Sequence, residues 1–288
     1  MPIKLPKQLG SHLNRDQIAF LKTFAKSCRY SIISMLKNAK SGHPGGSLSC
    51  IDYLTLLYAF RIAHSGEPIV VSNGHISPAV YAVLAELGYI KKNDAIAGFR
   101  KANSPFEGHV TRHVPGVFYG TGPLAVGVSA ASGFALAEKI KDSDKYVYAL
   151  IGDGESQEGQ VYEMMHFASK YKLNNFIVFM DYNQVQLSNS LKSIMPIDPK
   201  KTFTAAGWQV IEVDGHDFHD MWKGLAKAHE SNVPVLLLGN TIMGKGVSFM
   251  EHAGLAREAT WHGNAPNIEQ SNQALKELVL KIPEKKLL

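Results

Sequence analysis

Apolar residues recur at Ile18, Leu21, Ala25, Cys28, Ile32, Met35 and Ala39, three and four residues apart in alternation. That spacing is the single stripe of an amphipathic helix. Asn14 is placed to cap it, and Ser41-Gly42-His43-Pro44-Gly45-Gly46 ends it. A second helix is predicted over Leu48 to Phe60, a short strand over Ile69 to Val71, and a helix from Pro78 to Leu87 that Gly88 stops. Ser104 to Thr121, rich in Gly, Pro and His, reads as a loop, and Leu124 to Ile140 as a helix of small residues.

Beyond residue 145 the pattern becomes regular. Strands are predicted at Tyr146–Ile151, Phe176–Met180, Trp208–Val213 and Val235–Leu238. Helices fall between them at Gly159–Tyr171 and Lys201–Ala206, and along the stripe Phe218, Met221, Trp222, Leu225, Ala228. Continuous apolar strands alternating with helices predict an α/β fold with a mainly parallel sheet and helices on both faces. After Asn240 the regularity fades until a last helix over Glu269 to Lys281.

Composition narrows the class without naming a function. With 288 residues, 45% hydrophobic and 19% charged, the chain has ample material for a core, which excludes a fibre or a disulfide scaffold. The net charge of +5 is spread out, with no basic run to suggest nucleic acid. Cys28 and Cys50 lie among apolar residues and read as buried thiols of a reducing compartment. Lys4 and Lys7 are followed by no apolar segment, so no signal peptide is read, no stretch is long enough to span a membrane, and the cytoplasm is expected.

The chemistry concentrates at the strand ends. The strand at Tyr146–Ile151 runs into Gly152-Asp153-Gly154, and the next ends in Asp181-Tyr182-Asn183. A crossover between parallel strands brings both ends to one edge of the sheet. If the strands are neighbours, the Asp153 carboxylate and the Asn183 amide oxygen can share one hard cation, completed by a substrate phosphate. Gly154 lets backbone N–H groups approach that phosphate. Gly-Asp-Gly alone is equally well a tight turn.

The whole stretch, Gly152-Asp153-Gly154 with Asn183 thirty residues after Asp153, resembles the thiamine-diphosphate binding motif. Further segments narrow the likeness: Ser41 to Gly46, Ser72-Asn73-Gly74-His75, Gly116 to Leu124, Gly152 to Gly159, Gly244 to Met250 and Trp261-His262-Gly263. Their order over about residues 15–265 resembles the N-terminal half of a transketolase.

The resemblance implies a thiamine-diphosphate-binding fold, with residues 1–265 as the diphosphate-binding domain and 266–288 as a helical tail. It implies Asp153, Asn183 and the Val185 carbonyl as ligands of Mg²⁺, or Ca²⁺ or Mn²⁺. Gly154 and Asn183 would then meet the diphosphate, His75 and His262 would line its side, and Gly122 and Leu124 would lie against the aminopyrimidine ring. His43, His109 and His262 would contact substrate and move protons, as neutral imidazoles can near pH 7. Glu158 would couple two active sites across a subunit interface. His64, His113, His216, His219, His229 and His252 match no family position and are expected to be structural.

Departures from the family border the expected substrate pocket: Val110-Thr111-Arg112 after His109, Phe118, and Ala125-Val126-Gly127 after Leu124. Two other motifs fail on chemistry. Gly239 to Gly246 resembles a phosphate loop but has Gly246 where a hydroxyl must bind Mg²⁺. His109 and His113 have a zinc-like spacing, but Pro115-Gly116 argues against one helix carrying both.

The family's pyrimidine-binding domain, which supplies the glutamate that activates the cofactor, has no counterpart after Ser248. The expected function is therefore that of one subunit of a two-subunit transketolase. It would move a two-carbon ketol unit from a ketose, as its phosphate, to an aldose. It would pair with a C-terminal-half subunit in an α2β2 heterotetramer. The alternatives are a non-catalytic cofactor-binding or regulatory homologue, or a subunit of a thiamine-diphosphate enzyme acting on a ketoacid or 1-deoxy sugar.

Overall fold

The computed structural model describes residues 5–6, 9–63 and 66–279. Along the chain come α1 (Arg15–Ala39), α2 (Pro44–Ser49), α3 (Ile51–Ala63), β1 (Ile69–Val71), α4 (Ser77–Glu86), α5 (Lys92–Gly98) and α6 (Val126–Ile140). They are followed by β2 (Val147–Gly152), α7 (Gly159–Lys170), β3 (Phe176–Tyr182), α8 (Leu191–Ile194), α9 (Pro199–Ala205), β4 (Gln209–Asp214), α10 (Phe218–His229), β5 (Val235–Asn240), α11 (Ser248–Leu255) and α12 (Ile268–Leu278).

The five strands form one parallel sheet in the order β1-β2-β3-β5-β4. The period-two alternation of the strands sends their side chains to two cores. Tyr148, Leu150, Ile177, Phe179, Val235 and Leu237 face α1, α3, α4, α10 and α12. Val147, Ala149, Ile151, Val178, Met180, Leu236 and Leu238 face α6, α7 and α9. Burial on both faces is why these strands read as unbroken apolar runs. Cys28 and Cys50 are both buried and free. No helix among the described residues is long and apolar enough to cross a membrane.

α1 starts with a reciprocal capping box: Asn14 Oδ1 accepts from the Gln17 N–H at 2.9 Å, and Gln17 Oε1 accepts from the Asn14 N–H at 2.9 Å. It ends at Lys40 in the left-handed conformation. The segment after it does more than stop a helix. Pro44 opens α2 from the first helical position, where its missing N–H costs nothing. Gly45 is there for close approach: a Cβ on it would lie 2.5 Å from Met243 Cγ and 2.7 Å from the Trp261 carbonyl oxygen. The helix expected at Leu48–Phe60 is therefore two helices, broken at Cys50.

α6 begins at Val126, later than expected, because Ala125 is left-handed (φ 66°) and leaves Leu124 in the preceding loop, 39% exposed. Residues 104–121 form no regular element, as their composition predicts. α5 and α11 are additional; each is only two turns or so, too short for its periodicity to stand out. The last helix ends at Leu278, and Lys281 lies outside the described residues, as do Lys4, Lys7 and His64.

Candidate active site at the carboxyl ends of β2 and β3

In the β2–β3 register Gly152 pairs with Asp181. Asp153 and Asn183 therefore leave neighbouring strands at one edge of the sheet, where open parallel sheets bind ligands. A cleft of about 260 Å³ lies there. Of the residues expected to act, His75, Leu124, Asp153, Gly154, Glu158, Asn183, Val185 and His262 line it.

Asp153 is buried. Its Oδ1 accepts from the Gly154 N–H at 2.7 Å and its Oδ2 from the Gln184 N–H at 2.5 Å. Burial, and then the neighbouring Asp181 carboxylate, push the Asp153 carboxyl up to about 8, against those two N–H groups. Asp181 lies deeper. It accepts from Ser49 Oγ and Thr241 Oγ1 at 2.5 Å and from Asn183 Nδ2 at 3.0 Å. That last bond fixes the Asn183 amide, whose Oδ1 takes the Val185 N–H at 3.0 Å. A second lone pair remains on that oxygen. Val185 is buried and pairs with Ser190, which folds the loop back over the strand ends.

The donor set is one carboxylate, one amide oxygen and backbone, the hard oxygens that suit Mg²⁺. Among the described residues no group of three or more His, Cys, Asp or Glu could hold a metal. Three polar atoms on the cleft wall are buried without a partner: Asn73 Oδ1, Gln186 Nε2 and His262 Nδ1. Such atoms cost free energy unless something pairs with them. A buried acid short of a cation and a wall short of partners both fit a metal-bridged diphosphate.

Three histidines cluster at the cleft, two of them, His75 and His262, in its lining. The rings of His43 and His75 lie 5.1 Å apart, His75 and His262 5.6 Å, and His43 and His262 6.2 Å. Burial, then the Arg100 guanidinium, pulls His43 down to about 4; burial, with other imidazoles packed around it, pulls His75 down to about 3; and burial lowers His262. All three are neutral at pH 7, able to donate and accept hydrogen bonds.

Three expected residues are not in the lining. His43, half-buried, packs beside His75 and His262. Gly122 sits, half-buried, in the loop before Leu124. His109 is exposed in the 104–121 loop, with its backbone carbonyl taking the Tyr81 hydroxyl at 3.0 Å. Glu158 is exposed at the cleft mouth, as the N-cap of α7.

Sequence reasoning passed over Glu155, which is buried at the centre of the site. It accepts from Ser72 Oγ at 2.6 Å, the Ala125 N–H at 2.7 Å and the Gly152 N–H at 3.1 Å. One carboxyl group thus ties the ends of β1 and β2 to the loop that carries Leu124. Burial raises it to about 7. An acid one residue past a Gly-Asp-Gly turn looks solvated, and nothing in the local sequence tells otherwise. The two discounted motifs stay discounted: Lys245 Nζ is held by Glu251 at 2.6 Å, and His109 and His113 share no helix.

The comparisons agree with this geometry. Residues 21–279 match the family profile described as "Transketolase, thiamine diphosphate binding domain". An apulose-4-phosphate transketolase subunit of Phocaeicola vulgatus is 34% identical over 275 residues, spanning 91% of this chain and 95% of that one. Human transketolase is 31% identical over 284 residues, spanning 95% of this chain but 44% of that one. The crystal structure of Campylobacter jejuni transketolase superposes with a TM-score of 0.83 at 30% identity, covering 92% of this chain and 43% of that one. The chain thus spans less than half of these two transketolases and nearly all of the P. vulgatus subunit. It belongs to the transketolase family and corresponds to that family's N-terminal, thiamine-diphosphate-binding domain.

Proposed function

We propose that this subunit binds thiamine diphosphate through a divalent metal, Mg²⁺ in the first place, and transfers a two-carbon ketol unit between sugars together with a separate C-terminal-half chain. The observation that carries the reading is the cleft itself. Asp153 and Asn183 converge there from adjacent strand ends, facing a wall of unpartnered polar atoms and neutral histidines. Asp153, Asn183 and the Val185 carbonyl would hold the metal, and Gly154 with Asn183 the diphosphate. Gly122 and Leu124 would support the aminopyrimidine ring. Bound there, the cofactor supplies the electron sink for breaking a carbon–carbon bond.

The chain's own part is to orient, to exclude water and to move protons. His75 and His262 would stand on the diphosphate side; His262 would also meet the sugar, and His43 and His109, which lie outside the cleft lining, would do so from its edge. Glu158, exposed at the mouth, suits coupling to a second copy of the site in an α2β2 assembly. Two relatives support the partner chain, both named as subunits. One is the P. vulgatus protein; the other is the 6-deoxy-6-sulfo-D-fructose transketolase subunit of a Clostridium species, 35% identical over 246 residues. Their substrates carry a phosphate and a sulfonate, which makes an anionic sugar the substrate class proposed here. Two free, buried thiols fit the cytoplasm.

The test is calorimetry followed by reconstitution. The chain is expected to bind thiamine diphosphate only with Mg²⁺ present, and Asp153→Ala to abolish that binding by removing the one carboxylate of the set. Ketol transfer is expected only after co-expression with the partner chain. Unchanged affinity in Asp153→Ala would show the metal to be elsewhere, and transfer by this chain alone would end the two-subunit reading.

A further inference from the structure

Beside His43 lies a cation, Arg100, that forms no ion pair among the described residues. Arg100 follows α5 in the left-handed conformation (φ 55°), and its N–H donates to the Phe106 carbonyl at 2.8 Å. Its Nη1 donates to Ser41 Oγ at 2.6 Å, and its Nη2 lies 3.4 Å from His43 Nδ1. The guanidinium is pressed against the loop that carries His109. A Cβ on Gly108 would sit 2.7 Å from Arg100 Nε and 3.0 Å from its Cζ and Nη2. Nε is buried without a partner, and among the described residues no carboxylate pairs with the group.

We infer that Arg100 is a positioning residue that fixes the tautomer of His43, so that this histidine offers an N–H donor from Nε2 and keeps its lone pair on Nδ1.

The argument is electrostatic. A guanidinium has five N–H donors and no acceptor, and it stays charged. The imidazole nitrogen that faces it must therefore present its lone pair, which leaves the single proton of the neutral ring on Nε2. At 3.4 Å the contact is long for a hydrogen bond. The sign of the interaction is still fixed, because an Nδ1–H aimed at the cation would set two positive ends together. The charged neighbour of the ring is Arg100, and it opposes protonation of His43; the imidazoles of His262, His109 and His75 also lie close and would add to that only if they were themselves protonated. Nε2 has no partner among the described residues and lies on the side of Gly263, 3.8 Å from where that residue's Cβ would stand. Ser41 and Gly108 hold the fork in place, so the tautomer is imposed from outside the cleft.

For catalysis the consequence rests on the ketol-transfer reading. His43 would donate to an oxygen of the sugar, and the group that accepts a proton would have to be another member of the cluster. The tautomer itself needs no substrate, cofactor or partner chain, so the two claims can fail separately.

The experiment is a long-range ¹H–¹⁵N correlation spectrum of the chain labelled with ¹⁵N-histidine, with His43→Gln to identify the His43 signals. In the wild type at pH 7 the His43 pattern is expected to be that of the Nε2–H form, with Nδ1 unprotonated. In Arg100→Met the preference is expected to fall by about tenfold or more, the weight of one charge-assisted contact, and the ring to begin titrating at higher pH. Arg100→Lys keeps the charge without the fork and is expected to keep the acid-shifted titration while loosening the tautomer. Should Arg100→Met fold poorly, the wild-type spectrum and Arg100→Lys still decide. An Nδ1–H pattern in the wild type would overturn the inference. So would an Arg100→Met spectrum and titration identical to the wild type.

Discussion

Asp52→Asn is the most informative change to the scaffold that holds the site. Asp52, on α3, lies 7% exposed at its side chain against Arg29 of α1, itself 9% exposed. The pair is bidentate: Arg29 Nη1 to Oδ1 at 2.9 Å and Nη2 to Oδ2 at 2.7 Å. A third partner fixes the geometry. The Ile242 N–H donates to His216 Nε2 at 2.9 Å, so the His216 proton is on Nδ1 and points at Asp52 Oδ2, also 2.9 Å away. Arg29 directs two further donors to the carbonyls of Lys245 at 2.9 Å and Leu48 at 3.3 Å. One ion pair therefore locks α1, α2, α3 and the loop after β5 together.

Removing one charge from a buried pair strands the other, which costs about 3–5 kcal/mol. At about 2–4 °C per kcal/mol for a protein near this size, melting should fall by roughly 6–20 °C. Burial opposes ionisation of Asp52, but the Arg29 charge and the bonds from His216 and Arg29 outweigh it and hold the carboxyl at about 2, below its usual 3.8. A depressed acid contributes stability above its unfolded pKa and loses it as pH falls through the folded value. The shift is worth on the order of 2 kcal/mol, so the gap between wild type and Asp52→Asn should narrow as pH drops from about 4 to 2.

Circular dichroism melting across that pH range, with the double variant Arg29→Met/Asp52→Leu, makes the assay. The double variant should recover part of the loss, because two apolar groups strand no charge. A single-variant loss below about 1 kcal/mol, the value of an exposed pair, would refute the claim that the pair is desolvated. A double variant less stable than Asp52→Asn would refute the charge-stranding argument.

Glu155→Gln should cost about 1–3 kcal/mol in denaturant unfolding, because an amide NH₂ would face one of three donors. Since the carboxyl is raised to about 7, its own stabilisation is full below about 4.5 and declines as pH climbs through 7. The gap should therefore be widest in acid, and a gap that widens toward pH 8 would contradict this. His75 titrates near 3 in the fold, so the unfolded chain takes up its proton first as pH falls below about 6.5. Wild-type stability should thus decline by about 1.4 kcal/mol per pH unit from this residue between pH 6 and 4. His75→Gln should have a shallower slope over that window, and equal slopes would show that the ring is not buried neutral.

The sequence by itself determined the elements and the chemistry that depends on order along the chain. Apolar runs 145 residues and more from the start marked β2 to β5, and Asn14 marked the start of α1. The spacing of Asp153 and Asn183 was legible as a resemblance to the family's cofactor motif, and a crossover between parallel strands explains why its two ends return to one sheet edge. Short elements escaped for the opposite reason: α5 and α11 span too few turns to show a period, and α2 exists because Gly45 packs against Met243 and Trp261, about 200 residues away in sequence.

Tertiary structure alone decided which polar groups are buried and what faces them. Asp181, Glu155 and Arg100 carry no local mark, since a carboxylate or guanidinium reads the same in a solvated turn as in a core. Their roles arise from partners far along the chain: Thr241 on Asp181, Ser72 on Glu155, and Ser41 and His43 beside Arg100. Burial removes water as the alternative partner, and only then does the identity of each neighbour set a charge state, a tautomer or a ligand's orientation.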